Sequence, residues 1–557
     1  MKHIIILVCV LTLFSVQAQE KKRAISVNGN IQSDILFPEE DTDIGASSYE
    51  EAALTNTYLD LNLMSTYVNA GGRFEFLKYP LPGFEPDFAG WGVPYFYLTG
   101  NYKKVKLTVG DFYDQFGSGF IFRSYQERSL GIDNAIRGAR LSVEPFKGVN
   151  LKALGGQQRR YFDHNSGYLA GGDVELNFDQ WFSKMQESNT FFMLGGSFIT
   201  KNENTDELIL TEDGASRLNL PENVAAYDIR ARLQKGNYSF LLEYASKIND
   251  PSRDNYYIYK NGTAWLFSSS YAKRGMSILL QAKRSDNMSF RSRRSELAPT
   301  ASFINHLPPF SMQQTYALAA LYPYATQPLG EWAFQGTFAY GFRRNTLLGG
   351  KYGTNIKVNA SHIRSIDKQY VDQYVAGNYN SLRGSDGYAS SFFKMGNETY
   401  YQDINIAIDK KFTQDFKLNL MYINLLSNEW IIRQHGTDDD RMLQANIFIG
   451  EGKYQISPKV TVRSELQYLA TQEDEGDWVS ALIEVSLLPS FMFTVSDMYN
   501  AGETKLHYYK ALVTYTLKSH LFQLGYGRSR AGYDCSGGIC RVVPASRGFQ
   551  FAYNYNF

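Results

Sequence analysis

The chain is poor in cysteine and histidine, and its charges cancel. Its 557 residues include 3 Cys and 7 His, and 56 Lys and Arg residues balance 56 Asp and Glu residues. So few cysteines exclude a disulfide-dense scaffold, and the balanced charge gives no bias toward nucleic acid. The histidines form no HExxH or other metal-binding spacing, and no G-x-S-x-G motif stands out. We therefore expect no nucleic-acid partner, no cofactor and no enzymatic activity.

Long apolar runs are missing beyond the N-terminus. The chain begins MKHIIILVCVLTLFSVQAQE, in which Lys2 precedes an apolar run that ends in a small-residue pattern at Ala18. This pattern predicts a secretory signal peptide over residues 1–18 and a mature chain over residues 19–557. A membrane anchor is the alternative, but the run is too short to span a bilayer and no stop-transfer sequence follows it.

Aromatic residues are abundant and regularly placed. The chain contains 40 Tyr and 37 Phe, more than a soluble enzyme usually carries. In Ile25–Phe37 apolar residues alternate with polar ones, and the same period of two recurs in residues 460–468 and 479–487. The chain ends FQFAYNYNF, with an aromatic residue at every second position from Phe549 to Phe557. These segments predict strands with one apolar and one polar face.

Short and long connections alternate between the predicted strands. Residues 401–422 are typical of a hairpin. Short turns are predicted at residues 144–148, 234–237, 457–459, 488–490 and 518–520. Longer polar stretches are residues 38–56, 79–93, 112–133, 200–222, 286–312, 364–398, 428–440 and 531–547. Outer-membrane barrels have this alternation, with short periplasmic turns and long outer loops.

The predicted fold class is all-β, a transmembrane up-and-down antiparallel β-barrel of about 24 strands, within a range of about 22 to 26. The count is open at residues 343–399, which supply one strand where an even total needs two or none. A soluble sandwich or propeller also alternates. The strand-end Tyr and Phe residues, and opposite faces that carry charges, favour the membrane barrel.

This fold predicts location in the bacterial outer membrane, with the lipid bilayer as a partner. Because lipid tolerates no unpaired backbone, the sheet must close on itself. The aromatic face of the last strand would then meet lipid, and Gln550, Asn554 and Asn556 would face a wet interior. Phe557 is the predicted insertion signal for the barrel-insertion machinery; an ordinary last strand is the alternative.

A barrel this wide would leak unless its lumen is narrowed. Barrels of about 22 strands have a plugged lumen, yet the first predicted strand begins near Ile25 and leaves no room for a preceding plug domain. We expect inward-folded loops, or a protein partner, to fill or cap the lumen. The best loop candidates are residues 112–133, 286–312 and 364–398.

Segment Gly110–Leu141 is the best candidate for a constriction, because it combines several glycines with charges of both signs. Porin constrictions place acidic and basic groups opposite each other. The candidate residues are Arg123, Glu127, Arg128, Asp133, Arg137 and Arg140. The alternative is a compact loop whose ion pairs only hold its own shape.

Two cysteines survive the predicted cleavage. Cys535 and Cys540 flank a Ser-Gly-Gly-Ile turn in the last long stretch. An oxidising compartment and two glycines favour a disulfide between them, whereas a metal site would need more ligands.

The stretch FYDQFGSGFIFRSYQERSLGIDNAIRGARL, together with GGKYGTN at residues 349–355, resembles a family of uncharacterised porin-like outer-membrane proteins of Bacteroidota. The resemblance extends over most of the mature chain. It implies the location and the fold, and no activity comes with it.

Two functions fit these predictions. The first is a porin-like channel for small polar solutes, open or gated by inward loops. The second is a non-transport accessory or scaffold barrel of an outer-membrane secretion or assembly complex. Uptake of hydrophobic substrates would require an apolar lumen, and the Asn, Gln and Asp residues at predicted inward positions disfavour it.

Overall fold

The computed structural model describes residues 25–204, 207–433 and 441–557. The predicted signal peptide, residues 1–18, lies outside the described residues. The barrel strands of the first half are β1 (Ile25–Glu39), β2 (Leu54–Ser65), β3 (Val68–Leu77), β4 (Gly90–Tyr102), β5 (Val105–Phe112), β6 (Ile136–Val143), β7 (Val149–Arg160), β8 (Asp163–Asn177), β9 (Thr190–Asn202), β10 (Asn223–Lys235), β11 (Tyr238–Lys247) and β12 (Gly262–Lys273). Those of the second half are β13 (Met276–Asp286), β14 (Glu331–Phe342), β15 (Thr354–Ile366), β16 (Met395–Lys411), β17 (Phe416–Asn428), β18 (Met442–Ser457), β19 (Val460–Ala470), β20 (Trp478–Leu487), β21 (Phe491–Asn500), β22 (Lys510–Leu517), β23 (His520–Ser529) and β24 (Ser546–Asn556).

These strands form one closed 24-stranded sheet. Each strand pairs antiparallel with its neighbours along the chain, and β1 also pairs with β24, from Asn30 opposite Asn556 to Glu39 opposite Arg547. Closure satisfies the edge backbone groups that an open sheet would expose. The predicted fold class is confirmed.

Shorter elements lie in the connections. They are helices at Ser183–Glu187 and Glu429–Arg433, 3-10 turns at Pro86–Phe88, Phe178–Gln180, Arg253–Asn255 and Tyr379–Leu382, and hairpins that pair Gln126–Glu127 with Ile132–Asp133, Gln369–Tyr370 with Tyr388–Ala389, and Gly532–Ser536 with Ile539–Val543. No helix among the described residues is long and apolar enough to cross a membrane.

Both ends of the barrel chain lie at the end with the shorter turns. Connections such as residues 66–67, 236–237 and 518–519 are tight, while most connections at the other end are long. By the usual arrangement of outer-membrane barrels, the first is the periplasmic end and the second the outer end.

The open strand count is settled by the structure. Residues 343–399 hold one complete barrel strand, β15, and the start of β16. The total is even because residues 287–330 contribute no strand to the barrel.

The outward face of the sheet is apolar. Along β21, for example, Phe491, Phe493 and Val495 point outward and are 45%, 41% and 61% exposed in the absence of lipid, while the intervening Met492 and Thr494 point inward. Aromatic side chains mark the ends of many strands, as girdles at the two membrane interfaces require. The protein is therefore an outer-membrane barrel, as the alternating pattern predicts.

The last aromatic residue lies at the seam where the barrel closes. Phe557 and Gly29 exchange backbone hydrogen bonds of 3.0 and 3.1 Å, and the Phe557 ring stacks on Tyr555 at 5.3 Å. A Cβ atom on Gly29 would lie 2.4 Å from this ring. Glycine at this position therefore lets the terminal ring lie against the sheet.

The prediction that residues 364–398 fold into the lumen is wrong. Tyr388 and Leu382 of this loop pack with Trp332, an outward residue of β14, and the Tyr388 hydroxyl donates to Asp286 at 2.8 Å. This loop therefore covers outward side chains at the outer rim. Its contacts with them hold it outside the barrel.

Candidate functional site: the plugged lumen

Two segments at the outer end fold into the lumen, residues 113–135 after β5 and residues 287–330 after β13. We call them together the plug. Phe116, Phe120 and Phe122 of the first and Phe290 and Leu318 of the second are almost fully buried. They share one hydrophobic core with inward side chains of the strands. The lumen is therefore filled in part by the chain itself.

The tip of segment 113–135 docks on two wall carboxylates. The Ser118 hydroxyl donates to Glu243 at 2.6 Å and its backbone N–H donates to the same group at 3.0 Å. Gly117 has φ +51°, and a Cβ atom there would lie 2.6 Å from Glu243 Oε1 and 2.8 Å from Asp228 Oδ2. Only glycine suits both this backbone conformation and this close approach.

Asp133 anchors the other end of the same segment. It accepts hydrogen bonds from Arg73 and from Arg159 Nη1, the latter at 2.7 Å, and from the Tyr113 hydroxyl at 2.9 Å. Both arginines also bind Glu75, at 2.6 Å each. These charged side chains are almost completely buried, so the loss of one partner would leave an uncompensated charge.

Two further predicted constriction residues also link the segment to the wall. Arg128 donates to Asp60 of β2 at 2.6 Å and to Gln32 of β1 at 3.0 Å. Arg140, on β6, donates to Asp114 at 3.2 Å. The ion pairs of this segment therefore extend to the barrel wall as well as within the loop.

The remaining three predicted residues lie apart from that network. Glu127 accepts a hydrogen bond from Ser536 at 3.4 Å, and the Arg123 guanidinium lies 4.4 Å from the centre of the Tyr125 ring. Arg137 points out of the barrel, where it pairs with Asp111 at 2.9 Å. The structure thus brings Arg137 to the outer surface and away from the lumen.

Segment 287–330 is longer than the loop predicted at residues 286–312. Its second part reaches across the lumen, where Gln314 donates to Asn405 at 3.0 Å, the Leu318 N–H donates to Gln467 at 3.0 Å and the Tyr316 hydroxyl donates to Glu451 at 3.2 Å. Two sequence signals mark residues 313–330 as no strand, namely their prolines and the lack of a period of two.

Buried lysines tie segment 287–330 to its own side of the barrel. Lys201, Lys247 and Lys283 have fully buried side chains. Each donates to a backbone carbonyl of this segment, that of Arg291 at 3.0 Å, Ser289 at 2.6 Å and Pro308 at 2.5 Å respectively. The prediction of strand positions did not identify these lysines, since only tertiary contact explains their burial.

The predicted disulfide is present, Cys535 to Cys540. It closes a hairpin, Gly532–Ser536 with Ile539–Val543, that extends from the outer ends of β23 and β24 onto the plug. The Thr326 N–H donates to the Gly538 carbonyl at 3.0 Å, and Tyr533 lies under the Arg433 guanidinium at 4.7 Å. We call residues 532–543 the hairpin lid.

A cavity of about 450 Å³ lies between the hairpin lid and the plug. Its lining includes His306, Arg291, Thr326, Tyr533 and Ile539. Burial lowers the pKa of His306 to about 3, and the nearby positive charges add to this effect. The imidazole is therefore neutral at physiological pH.

The inward faces of the barrel strands differ around the ring. From β3 to β13 they carry many charged groups, for which we use the name charged wall: Arg73, Glu75, Lys106, Arg140, Lys152, Asp173, Glu175, Lys201, Asp228, Arg230, Arg232, Glu243, Lys247 and Lys283. We include in it Arg159, at the outer end of β7, because its side chain binds Glu75 of this wall and Asp133 of the plug. From β21 to β24 they are polar, small or apolar, with Lys510 as the one charge, and we call this face the amide wall: Met492, Thr494, Ser496, Met498, Lys510, Leu512, Thr514, Thr516, Leu521, Gln523, Gly525, Gly527, Gln550, Ala552, Asn554 and Asn556.

The two walls also differ in their contact with the plug. Side chains of β2, β3, β7, β9 and β11 bind it through ion pairs or hydrogen bonds. Among the described residues, no hydrogen bond or ion pair joins the plug to the strands β20–β24. Gln523, Gln550 and Asn554 of the amide wall stay partly exposed, whereas inward Asn405 and Gln467 are each only 2% exposed.

Within the parts of the chain that the structure describes, no group of three or more His, Cys, Asp or Glu residues is arranged to hold a metal ion.

No curated protein matches the sequence. Several solved structures are similar in fold. A ferric enterobactin receptor (PfeA) mutant of Pseudomonas aeruginosa is 9% identical with a TM-score of 0.45, over 96% of this chain and 80% of the receptor. The P pilus usher (PapC) translocation pore is 9% identical with a TM-score of 0.43, over 96% and 99% of the two chains. OccAB3 of Acinetobacter baumannii is 8% identical with a TM-score of 0.35, over 96% and 99%.

The family of the chain follows from a match over its whole length. A family model described as "Family of unknown function (DUF6029)" matches residues 1–557. This agrees with the resemblance to an uncharacterised family that the motifs near Gly117 and Gly349 indicate. The chain belongs to the family of unknown function DUF6029.

Proposed function

We propose that the protein is a porin-like channel for small polar solutes, narrowed by its own plug. The observation that carries this proposal is the combination of a plug fixed to the charged wall with polar inward side chains that remain partly exposed on the amide wall. A lumen of this kind holds water, and it can pass solutes only beside the plug.

The charges around the plug would give little ion selectivity. Most are already neutralised at short range, as Asp133 is by Arg73 and Arg159. We propose that Arg123 and Arg128, in the candidate constriction, border the narrow part of the lumen, since both keep partial exposure. Selection would then depend on size and hydrogen bonding more than on charge.

An accessory or scaffold barrel is the other candidate function. A wide barrel that needs a partner to close it would suggest this function. Here residues 113–135 and 287–330 supply that closure, so no specific contact among the described residues calls for a lumen partner.

Single-channel recording in planar bilayers tests the proposal. We expect purified protein to conduct, and Arg128→Ala to conduct more because it frees the segment from Asp60. Arg344→Ala, an exposed residue of a periplasmic turn, is the matched control and should leave conductance unchanged. Purified protein that never conducts, or that co-purifies with a stable partner and conducts no solute, would reject the channel and favour the scaffold.

A further inference from the structure

We infer that solutes cross along the amide wall, between the plug and β21–β24, and that they are uncharged, hydroxyl-rich molecules of the size of small sugars. This inference rests on the proposed channel function and assigns both its route and its class of substrate.

The first argument is the position of the plug. Its described hydrogen bonds and ion pairs to the barrel strands reach only strands from β1 to β19, as those of Asp133, Ser118 and Leu318 show. A solute that passed on the charged wall would have to break buried ion pairs. Beside β21–β24 no described polar contact has to break, so this side offers the smaller barrier.

The second argument is space. On β24 the inward residues Gln550, Ala552 and Asn554 remain partly exposed. The inward glycines of β23 and β24 are instead packed against neighbouring strands. The free space beside the plug therefore lies along the exposed inward residues of β24. The hairpin lid begins at the outer ends of β23 and β24, so it covers the outer mouth of this route.

The third argument is chemical. The periplasmic half of the amide wall presents amides and hydroxyls that already pair across strands, as Asn30 does with Asn556 at 2.8 Å and Gln523 with Thr514 at 3.4 Å. Amides both donate and accept hydrogen bonds. They can exchange these bonds with solute hydroxyls, whereas an ion would lose hydration and would meet a single charged side chain on this wall, Lys510.

A matched pair of glutamines tests the route. Gln523 on the amide wall and Gln281 on β13 both point inward, are partly exposed and donate to one neighbouring hydroxyl, Thr514 at 3.4 Å and Ser268 at 3.2 Å. We expect Gln523→Glu to raise and Gln523→Lys to lower the permeability to cations by about fivefold, the Coulomb effect of one charge at contact distance in water. The same changes at Gln281 should shift it much less.

Swelling of proteoliposomes tests the substrate class. Neutral arabinose or glucose should enter wild-type vesicles faster than glutamate or lysine of comparable size. Equal rates for neutral and charged solutes would overturn the substrate class. Charge shifts at Gln281 that match or exceed those at Gln523 would overturn the route. Vesicles that admit none of these solutes would reject the channel itself, which is a different outcome.

Discussion

The charged wall and the amide wall belong to one sheet with one strand geometry, yet they differ in their contact with the plug and in their exposure to the lumen. The charged wall holds the plug through buried pairs such as Arg159 with Asp133 at 2.7 Å. The amide wall carries Gln523, Gln550 and Asn554, which remain partly exposed. Buried pairs fix a segment because their rupture leaves unpaired charges, and uncharged polar groups leave a surface free for water. One face therefore fixes the plug and the other allows passage.

The largest effect is expected where the charged wall is broken. Arg159→Met should remove the ion pairs to Glu75 and Asp133 and destabilise the barrel by about 3–5 kcal/mol, with large conductance fluctuations as segment 113–135 loosens. Gln550→Ala on the amide wall is the control and should change stability little. The temperature at which the compact band unfolds in SDS gels measures both variants. An Arg159 variant as stable as the Gln550 variant would remove the distinction between the walls.

A smaller effect is expected at the plug tip. Gly117→Ala would bring a Cβ atom against Glu243 and Asp228, whereas Gly236→Ala at φ +54° meets nothing within 4 Å. Both variants share the cost of the left-handed conformation. We expect Gly117→Ala to be less stable than Gly236→Ala by about 1–3 kcal/mol, the usual cost of overpacking. Equal melting temperatures would mean that the tip is free of the charged wall.

Acid should loosen the plug beneath the hairpin lid. Folding lowers the pKa of His306 from 6.5 to about 3. Its contribution to stability is therefore complete above pH 6.5 and is lost as the pH falls toward 3, because the unfolded chain takes up the proton first. Between pH 7 and about pH 4.5, the wild type should lose about 2 kcal/mol more than His306→Gln. Urea unfolding at each pH measures the free energy of unfolding of both proteins. If the two free energies changed in parallel with pH, the result would contradict the burial of this ring.

The smallest effect is expected at the seam beside the amide wall. We propose that Phe557 is the insertion signal read by the barrel-insertion machinery. Phe557→Ala should lose the ring contact with Tyr555, about 0.5–1.5 kcal/mol, and should lower the yield of folded barrel in cells more than in detergent refolding. Phe549→Ala, on the same face, is the control. An equal loss of yield in both variants would assign Phe557 an ordinary packing role.

Much of the barrel can be predicted from the sequence, because lipid and water impose a period of two on every strand. That pattern identifies the aromatic face of residues 549–557 and most of the long loops. It does not predict the direction in which a loop folds. Residues 287–330 enter the lumen because Lys201, Lys247 and Lys283 bind their carbonyls. Residues 367–394 cover the outside because they contact outward side chains that are distant in sequence.

The candidate constriction could be predicted only in part. The charges and glycines of segment 113–135 indicate an inward loop, and Asp133 and Arg128 bind opposite charges on the wall. The partners Arg73 and Asp60 lie far away in sequence and have no local signature. Arg137 shows most clearly where the prediction fails. Successive side chains of a strand point to opposite faces, and Arg137 lies on the outward face of β6, where it pairs with Asp111.

Thiol accessibility tests the central claim most directly, without any assumption about the solute. Ala552 on the amide wall is partly exposed, and Ala445 on β18 is fully buried beneath the plug. Ala→Cys at each position makes a matched pair, and Cys535 and Cys540 stay in their disulfide. We predict that a hydrophilic maleimide labels the folded Ala552→Cys barrel rapidly and leaves Ala445→Cys unlabelled until the barrel unfolds. Equal labelling, or faster labelling at position 445, would contradict a plug held on one side of the lumen.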